Sequence, residues 1–248
     1  VPDGRVPDGR VPDGRVPDDR VPDDRVPDDR VPDEPGEPPL PRLVRAWVAG
    51  WALSRGTAPP VEQAEGFRIE VGRPDQVARY VLLDSSEAAV RTVAGAVTVP
   101  HTWLRAFVAP EVVATWLPPG WTAGPPTFLM ATGLRPSSAR APDGYAVTAE
   151  TRAGVTFVRV LAADGGLAAR GQVAVAGESA VVDQVETEPA HQRRGLGSLV
   201  MRTLANAAVE QGATTGVLGA SSDGRALYEA LGWRLHAPLA GFVYRATA

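Results

Sequence analysis

The 248 residues suffice for one large domain or two small ones, and a hydrophobic fraction of 44% permits a substantial core. Cysteine is absent, which excludes disulfides and thiolate metal sites, and His101, His191 and His236 are scattered without ligand spacing, so no metal is expected. The formal net charge of −4 is unevenly spread: residues 1–39 hold ten Asp, two Glu and six Arg, a net of −6, leaving 17 acids against 19 arginines in the rest.

That near-neutral remainder speaks against a nucleic-acid partner. No apolar run is long enough to span a bilayer, and no basic-then-apolar signal opens the chain. A soluble cytoplasmic protein with no membrane partner is expected, as a monomer or homodimer.

Residues 1–35 are a five-residue tandem repeat: VPDGR three times, VPDDR three times, then VPDEP. Each valine precedes a proline and is pushed to extended geometry. With one apolar residue besides proline per repeat no core can form, so residues 1–39 read as a disordered acidic tail. From Leu40 the pattern changes. Leu43 to Leu53 is apolar at helical spacing and predicts an amphipathic helix. Phe67–Gly72 and Ala78–Asp84 read as paired strands around a turn at Gly72 to Asp75. Ser85 or Ser86 can cap a helix running to about Ala96. His101–Val108 reads as a strand and Pro110–Leu117 as a short helix with proline in its first turn. Thr127–Leu134 is another strand.

After a loop at Arg135 to Gly144 come four closely spaced strands, Tyr145–Glu150, Val155–Ala163, Ala168–Ala176 and Ser179–Thr187, joined by hairpin-type turns. Gln192-Arg193-Arg194-Gly195-Leu196-Gly197 then leads into a helix that Gly212 ends near Gln211. Two glycines let the backbone approach an anion, and the helix start offers unpaired N–H groups and the positive end of its dipole. A phosphate or pyrophosphate ligand is expected there. Thr214–Ala220 reads as a buried strand. Ser221 or Ser222 caps a helix through Leu231 that Gly232 closes. Strands near Trp233–His236 and Gly241–Arg245 complete the chain.

QRRGLG after a strand ending V-E-T-E-P closely resembles the acyl-CoA-binding loop of the GNAT superfamily of N-acyltransferases, whose pattern is Q/R-x-x-G-x-G/A after a V-x-P strand end. Here the matching residues are Thr187-Glu188-Pro189, then Gln192, Gly195 and Gly197. SSDGRALYEALGW, Ser221 to Trp233, is similar to the family helix that ends L-Y-x-x-L-G-F/W. The resemblance covers roughly residues 127–248 and implies a GNAT domain there: a mixed α/β (α+β) fold with a mostly antiparallel sheet flanked by helices. Two departures stand out. Ser221 occupies the position where the family often has Asn, and between the first two strands there is room only for a turn where the family usually has two helices. Thr102–Trp121 parallels Gly216–Trp233, both reading strand, helix, then a Gly-Trp pair. Residues 40–126 therefore read as an α/β region that is a degenerate half of the same fold.

The resemblance implies acetyl-CoA as co-substrate and transfer of its acetyl group to a primary amine, on a small molecule or a peptide, directly in a ternary complex. The backbone of Arg193, Arg194, Gly195, Leu196, Gly197 and Ser198 would hold the pyrophosphate, with Gln192 beside it. The strand end at Val185, Glu186 and Thr187 would take the pantetheine like an added strand. Ser221 and Tyr228 would complete the cofactor site, with the Tyr228 hydroxyl serving the leaving thiolate. For the general base the resemblance leaves Asp183, Glu186 and Glu188, of which Glu186 sits nearest the expected splay. The alternative reading is a non-catalytic CoA-binding regulatory or interaction module whose acceptor pocket has decayed.

Overall fold

The computed structural model describes residues 38–246. The repeat tail lies outside the described residues apart from its last two prolines, Pro38 and Pro39. Helix α1 (Leu40–Arg55) carries Pro41 in its first turn and ends at Gly56, whose left-handed φ of 61° lets Thr57 N–H close back on the Ala52 carbonyl. Leu43, Val44, Trp47, Val48, Trp51 and Ala52 form its buried stripe.

Strands β1 (Val61–Gln63), β2 (Gly66–Arg73) and β3 (Gln76–Leu82) form a meander. Helix α2 (Glu87–Ala96), capped by the Ser86 hydroxyl, crosses to β4 (Thr102–Ala106), which runs parallel to β3. Helix α3 (Pro110–Ala114) and β5 (Trp121–Ala123) follow. The remaining elements are β6 (Thr127–Gly133), β7 (Tyr145–Arg152), β8 (Val155–Ala162), β9 (Leu167–Ala176), β10 (Ser179–Thr187), α4 (Leu196–Glu210), β11 (Thr215–Ser221), α5 (Ser222–Ala230), β12 (Arg234–Pro238) and β13 (Ala240–Tyr244).

Among the described residues there are two sheets. One runs β1-β2-β3-β4-β13-β5, the other β12-β6-β11-β10-β9-β8-β7. Pairing is antiparallel except at β3–β4 and β10–β11, each joined by a crossover helix. The larger sheet takes its strands from the contiguous run β6–β12, and the smaller adds β13 to β1–β5. β6, which follows the N-terminal sheet in sequence, pairs between β11 and β12; β13, from the chain's end, pairs between β4 and β5. A cut at 126/127 therefore divides the sequence without separating two sheets.

Helices α4 and α5 cover one face of the larger sheet around Met130, Val173, Leu199, Leu204 and Leu218. Helix α1 covers its other face. It packs Trp47, Val48 and Trp51 against Val181 and Val217 there and against Ile69, Val81 and Phe107 of the smaller sheet. The turn between β7 and β8 is as tight as the sequence requires, with Ala153 and Gly154 both at positive φ.

The seat of α1 on β10 depends on Gly50. A Cβ built there would lie 2.6 Å from Val181 Cβ, a branched side chain with no room to retreat. Gly50→Ala should therefore lower stability by about 1–3 kcal/mol through overpacking, despite alanine's better helix propensity. A melting temperature equal to or above that of the parent chain would refute the close packing.

Candidate active site

Two irregularities open the larger sheet. β10 pairs with β11 only over Ser179–Val181 against Thr215–Val217. With β9 it stays paired to Thr187 through a bulge, where Gln184 and Val185 oppose Gly171 and Gln184 takes φ 53°. Beyond the bulge the Glu188 N–H donates to the Ala168 carbonyl at 2.9 Å, on the β9 side. Strand alternation then turns the Thr187 N–H to the edge that β11 has left.

The bulge is braced from α1. Asp183 accepts from Gln184 N–H (2.9 Å), Ser54 Oγ (3.2 Å) and both Nε and Nη2 of Arg55, the latter at 2.8 Å. Buried Gln172, opposite Asp183, donates to the Ser54 carbonyl (2.6 Å) and hydroxyl (2.7 Å). With four donors on one carboxylate the brace is closely satisfied, which a buried polar network requires.

The loop after β10 combines left-handed residues with a helix start. Arg193 (φ 60°) and Gly195 (φ 76°) flank Arg194, and Gly195 is the N-cap of α4. The first α4 bond runs from Leu199 N–H to the Gly195 carbonyl, so the earlier N–H groups are the helix's unpaired donors. Alternation of this kind makes a concave nest of donors for an anion. Gly197 serves closeness instead: a Cβ there would meet Leu227 Cδ2 at 2.9 Å, where α5 lies against the loop.

Loop, splayed strand and α5 enclose a cavity of about 760 Å³. Of the residues expected from the sequence, Val185, Thr187, Gln192, Arg193, Gly195, Leu196, Gly197, Ser198, Ser221 and Tyr228 line it. Two do not. Arg194 turns away and donates to the Tyr145 hydroxyl at 3.0 Å, which also bonds His191 Nδ1. Glu186 is exposed and held by Arg170 at 2.6 and 2.9 Å, because the bulge puts the pair directly across the β9–β10 ladder. Glu188 is exposed and does not line the cavity either. The sequence reading missed Asp223, Gly224, Ala226 and Leu227, which follow from the α5 cap and its first turns. Ser221 supplies that cap, its hydroxyl accepting from Gly224 N–H at 3.1 Å.

Tyr228 is 9% exposed and packs on Trp233 at 6.3 Å between ring centroids. Its hydroxyl has no hydrogen-bond partner among the described residues. Burial, and then the negative charge of Asp183, push its pKa up to about 12. The phenol is therefore a persistent donor. Among the described residues no group of three His, Asp or Glu could hold a metal ion.

A family model described as FR47-like protein matches residues 168–239, from β9 through β12, and so spans both the loop and α5. No curated protein matches the chain. Solved structures do. A GCN5-related N-acetyltransferase from Kribbella flavida aligns with TM-score 0.61 at 19% identity, over 84% of this chain and 96% of its own. A GNAT-family protein from Novosphingobium aromaticivorans gives 0.55 at 20%, over 85% and 100%. A GCN5-related N-acetyltransferase from Sphaerobacter thermophilus gives 0.50 at 10%, over 85% and 95%.

The fold is that of the GNAT superfamily. Both aligned GCN5-related proteins match over most of this chain, so the N-terminal sheet belongs to the shared architecture and not to an appendage. Within this fold α1 occupies the face of the larger sheet opposite α4 and α5.

The raised Tyr228 pKa has a direct readout. Below about pH 11 the protein and its Tyr228→Phe variant should develop the same tyrosinate absorbance, because Tyr228 stays protonated there. A step near pH 10 that disappears in the variant would contradict the buried, partnerless phenol.

Proposed function

We propose that the chain is an N-acetyltransferase that binds acetyl-CoA in the loop cavity and passes the acetyl group directly to a primary amine. The observation that carries this is the single cavity shared by an anion-binding helix start, an open strand edge and a buried tyrosine hydroxyl. Each suits one part of the thioester. The N–H groups from Arg193 to Ser198, with the Arg193 guanidinium, would take the pyrophosphate. The free edge of β10 at Val185–Thr187 would pair with the pantetheine amides as an added strand. Donors along that edge would also stabilise the charge that develops on the thioester oxygen.

In the transfer the amine nitrogen bonds to the carbonyl carbon and the carbon–sulfur bond breaks. The nitrogen loses a proton, the sulfur gains one, and the products are an amide and free CoA. Tyr228 would donate to the departing sulfur. Asp223, in the first turn of α5, is the carboxylate that lines the cavity; the three general-base candidates do not. Glu186 is committed to Arg170 and Asp183 to four donors. The amine would be taken up as its free base, and its proton would leave to water. Residues 40–126 are proposed as a degenerate half of the same fold, since β2–β5 with α2 and α3 repeat the order of β9–β12 with α4 and α5.

Gly195→Asp should abolish acetyl-CoA binding in calorimetry, because a side chain at φ 76° is strained and its charge would occupy the phosphate path. Tyr228→Phe should leave that affinity intact and lower turnover by about 10²–10⁴-fold, the usual contribution of a positioned acid. Glu186→Gln should change neither rate nor the acidic limb of the pH–rate profile, which follows the acceptor's own pKa. Unchanged affinity in the first variant, or an altered limb in the third, would overturn the corresponding assignment.

A further inference from the structure

The gap between β10 and β11 is also open on the face that carries α1. Gly219 marks it: it is exposed although Leu218 and Ala220 on either side are buried. A Cβ built on Gly219 would lie 3.6 Å from Trp47 Nε1 and 3.5 Å from Leu239 Cδ2. An acceptor entering from this side would meet a thioester held on the other without crossing the cofactor.

Two arginines of the smaller sheet stand beside this opening. Arg79 and Arg105 project from the face of β3 and β4 that meets α1, since Val81 and Phe107, two residues on, lie in the core around that helix. The Arg79 guanidinium lies 3.9 Å over the Trp51 ring and 5.9 Å over Trp47, the side chain that borders Gly219. Arg105 donates to Thr127 Oγ1 at 3.3 Å, and Thr127 pairs with Ser221, two residues beyond Gly219 along β11. Arg105 rests on the backbone of β13: a Cβ on Gly241 would lie 2.8 Å from its Cζ, so only glycine leaves the seat free.

Neither arginine has an acid. Among the described residues no carboxylate forms an ion pair with Arg79 or Arg105, and Arg105 Nε is buried without any hydrogen-bond partner. Arg79 meets only the neutral amide of Gln76, whose oxygen, with the amide turned to accept, takes Nε at 2.7 Å and Nη2 at 3.0 Å. The one carboxylate whose field reaches Arg79 is Asp183, already committed to Arg55. Burial, then the charges of Arg105 and Arg55, hold Arg79 well below the usual arginine range, and burial brings Arg105 down to about 10. Three guanidiniums against one carboxylate is a charge excess that apolar side chains of similar size would avoid. A bound anion relieves it, and a planar carboxylate fits the fork of a guanidinium.

We propose that the acceptor is an amine bearing a carboxylate, and that Arg79 and Arg105 bind this carboxylate while the amine reaches the thioester through the gap at Gly219. The assignment rests on the acetyl-transfer reading for its amine but on the arginines alone for its anion.

The test measures CoA release with acetyl-CoA and a panel of α- and ω-amino acids against the corresponding carboxamides and aminoalkyl phosphonates. The best acid should exceed its amide by at least about 100-fold in kcat/KM, as expected where a buried charge-assisted pair is lost. Arg79→Met and Arg105→Met should each raise KM for that acid by at least about tenfold and leave kcat within a few-fold. Acetyl-CoA affinity should not change, and neither variant should melt below the parent chain, because each removes an unpaired buried charge. Separately, the same amino acid is titrated into the protein without acetyl-CoA: heat in the parent chain that is absent in Arg105→Met supports the site. This arm still reads the anion site if acetyl-CoA fails to bind, an outcome that would sink the transferase reading alone. Equal turnover of acids and amides, preference for the phosphonate, or unaltered acid binding in both variants would overturn the proposal.

Discussion

β10 and β11 are parallel neighbours from Ser179 to Val181 against Thr215 to Val217, and then they part. A strand that leaves its partner exposes a row of donors and acceptors, and in a buried sheet such a row is costly unless something pairs with it. The molecule holds this gap open deliberately. The bulge at Gln184 and Val185 bends β10 away, and the Asp183–Arg55–Ser54–Gln172 network anchors the bend to the end of α1. The loop cavity sits on one side of the gap and the exposed face of Gly219 on the other. A site open from two sides suits a reaction in which two ligands must meet without displacing each other.

The return of β13 ties the two sheets together: the last strand of the chain becomes an interior strand of the smaller sheet, which does not keep its full pairing without it. The same connectivity carries Arg105 to the mouth of the gap, because Gly241 of β13 floors its guanidinium and Thr127 of β6 accepts from it. Helix α1 adds Trp47 and Trp51 from the other direction. The N-terminal part thus covers the face of the larger sheet opposite α4 and α5.

Most elements were legible because their signals are local. Ser86 and Ser221 cap helices as their spacing predicts, and Gly56, Gly212 and Gly232 stand at helix ends with positive φ. The GNAT resemblance rested on the loop glycines and Tyr228, and the fold and the FR47-like match bear it out. What escaped was non-local. β1 and β5 are three-residue edge strands, too short to alternate, and they exist only through pairing with β2 and β13. The return of β13 to the smaller sheet leaves no trace in hydrophobic period. From the sequence Glu186 is the first choice of base because it sits nearest the expected splay. The bulge at the left-handed Gln184 instead sets it across the ladder from Arg170. Arg79 and Arg105 sat inside strands whose apolar neighbours concealed them.

The central claim is that the cavity side of the gap receives an acyl-CoA through backbone donors. Amide hydrogen exchange with and without acetyl-CoA reads those donors directly. The account predicts slowed exchange confined to Val185–Thr187 and Arg193–Ser198, with the Ser179–Val181 ladder, already paired, unchanged. Protection that leaves both segments untouched and falls elsewhere would contradict it.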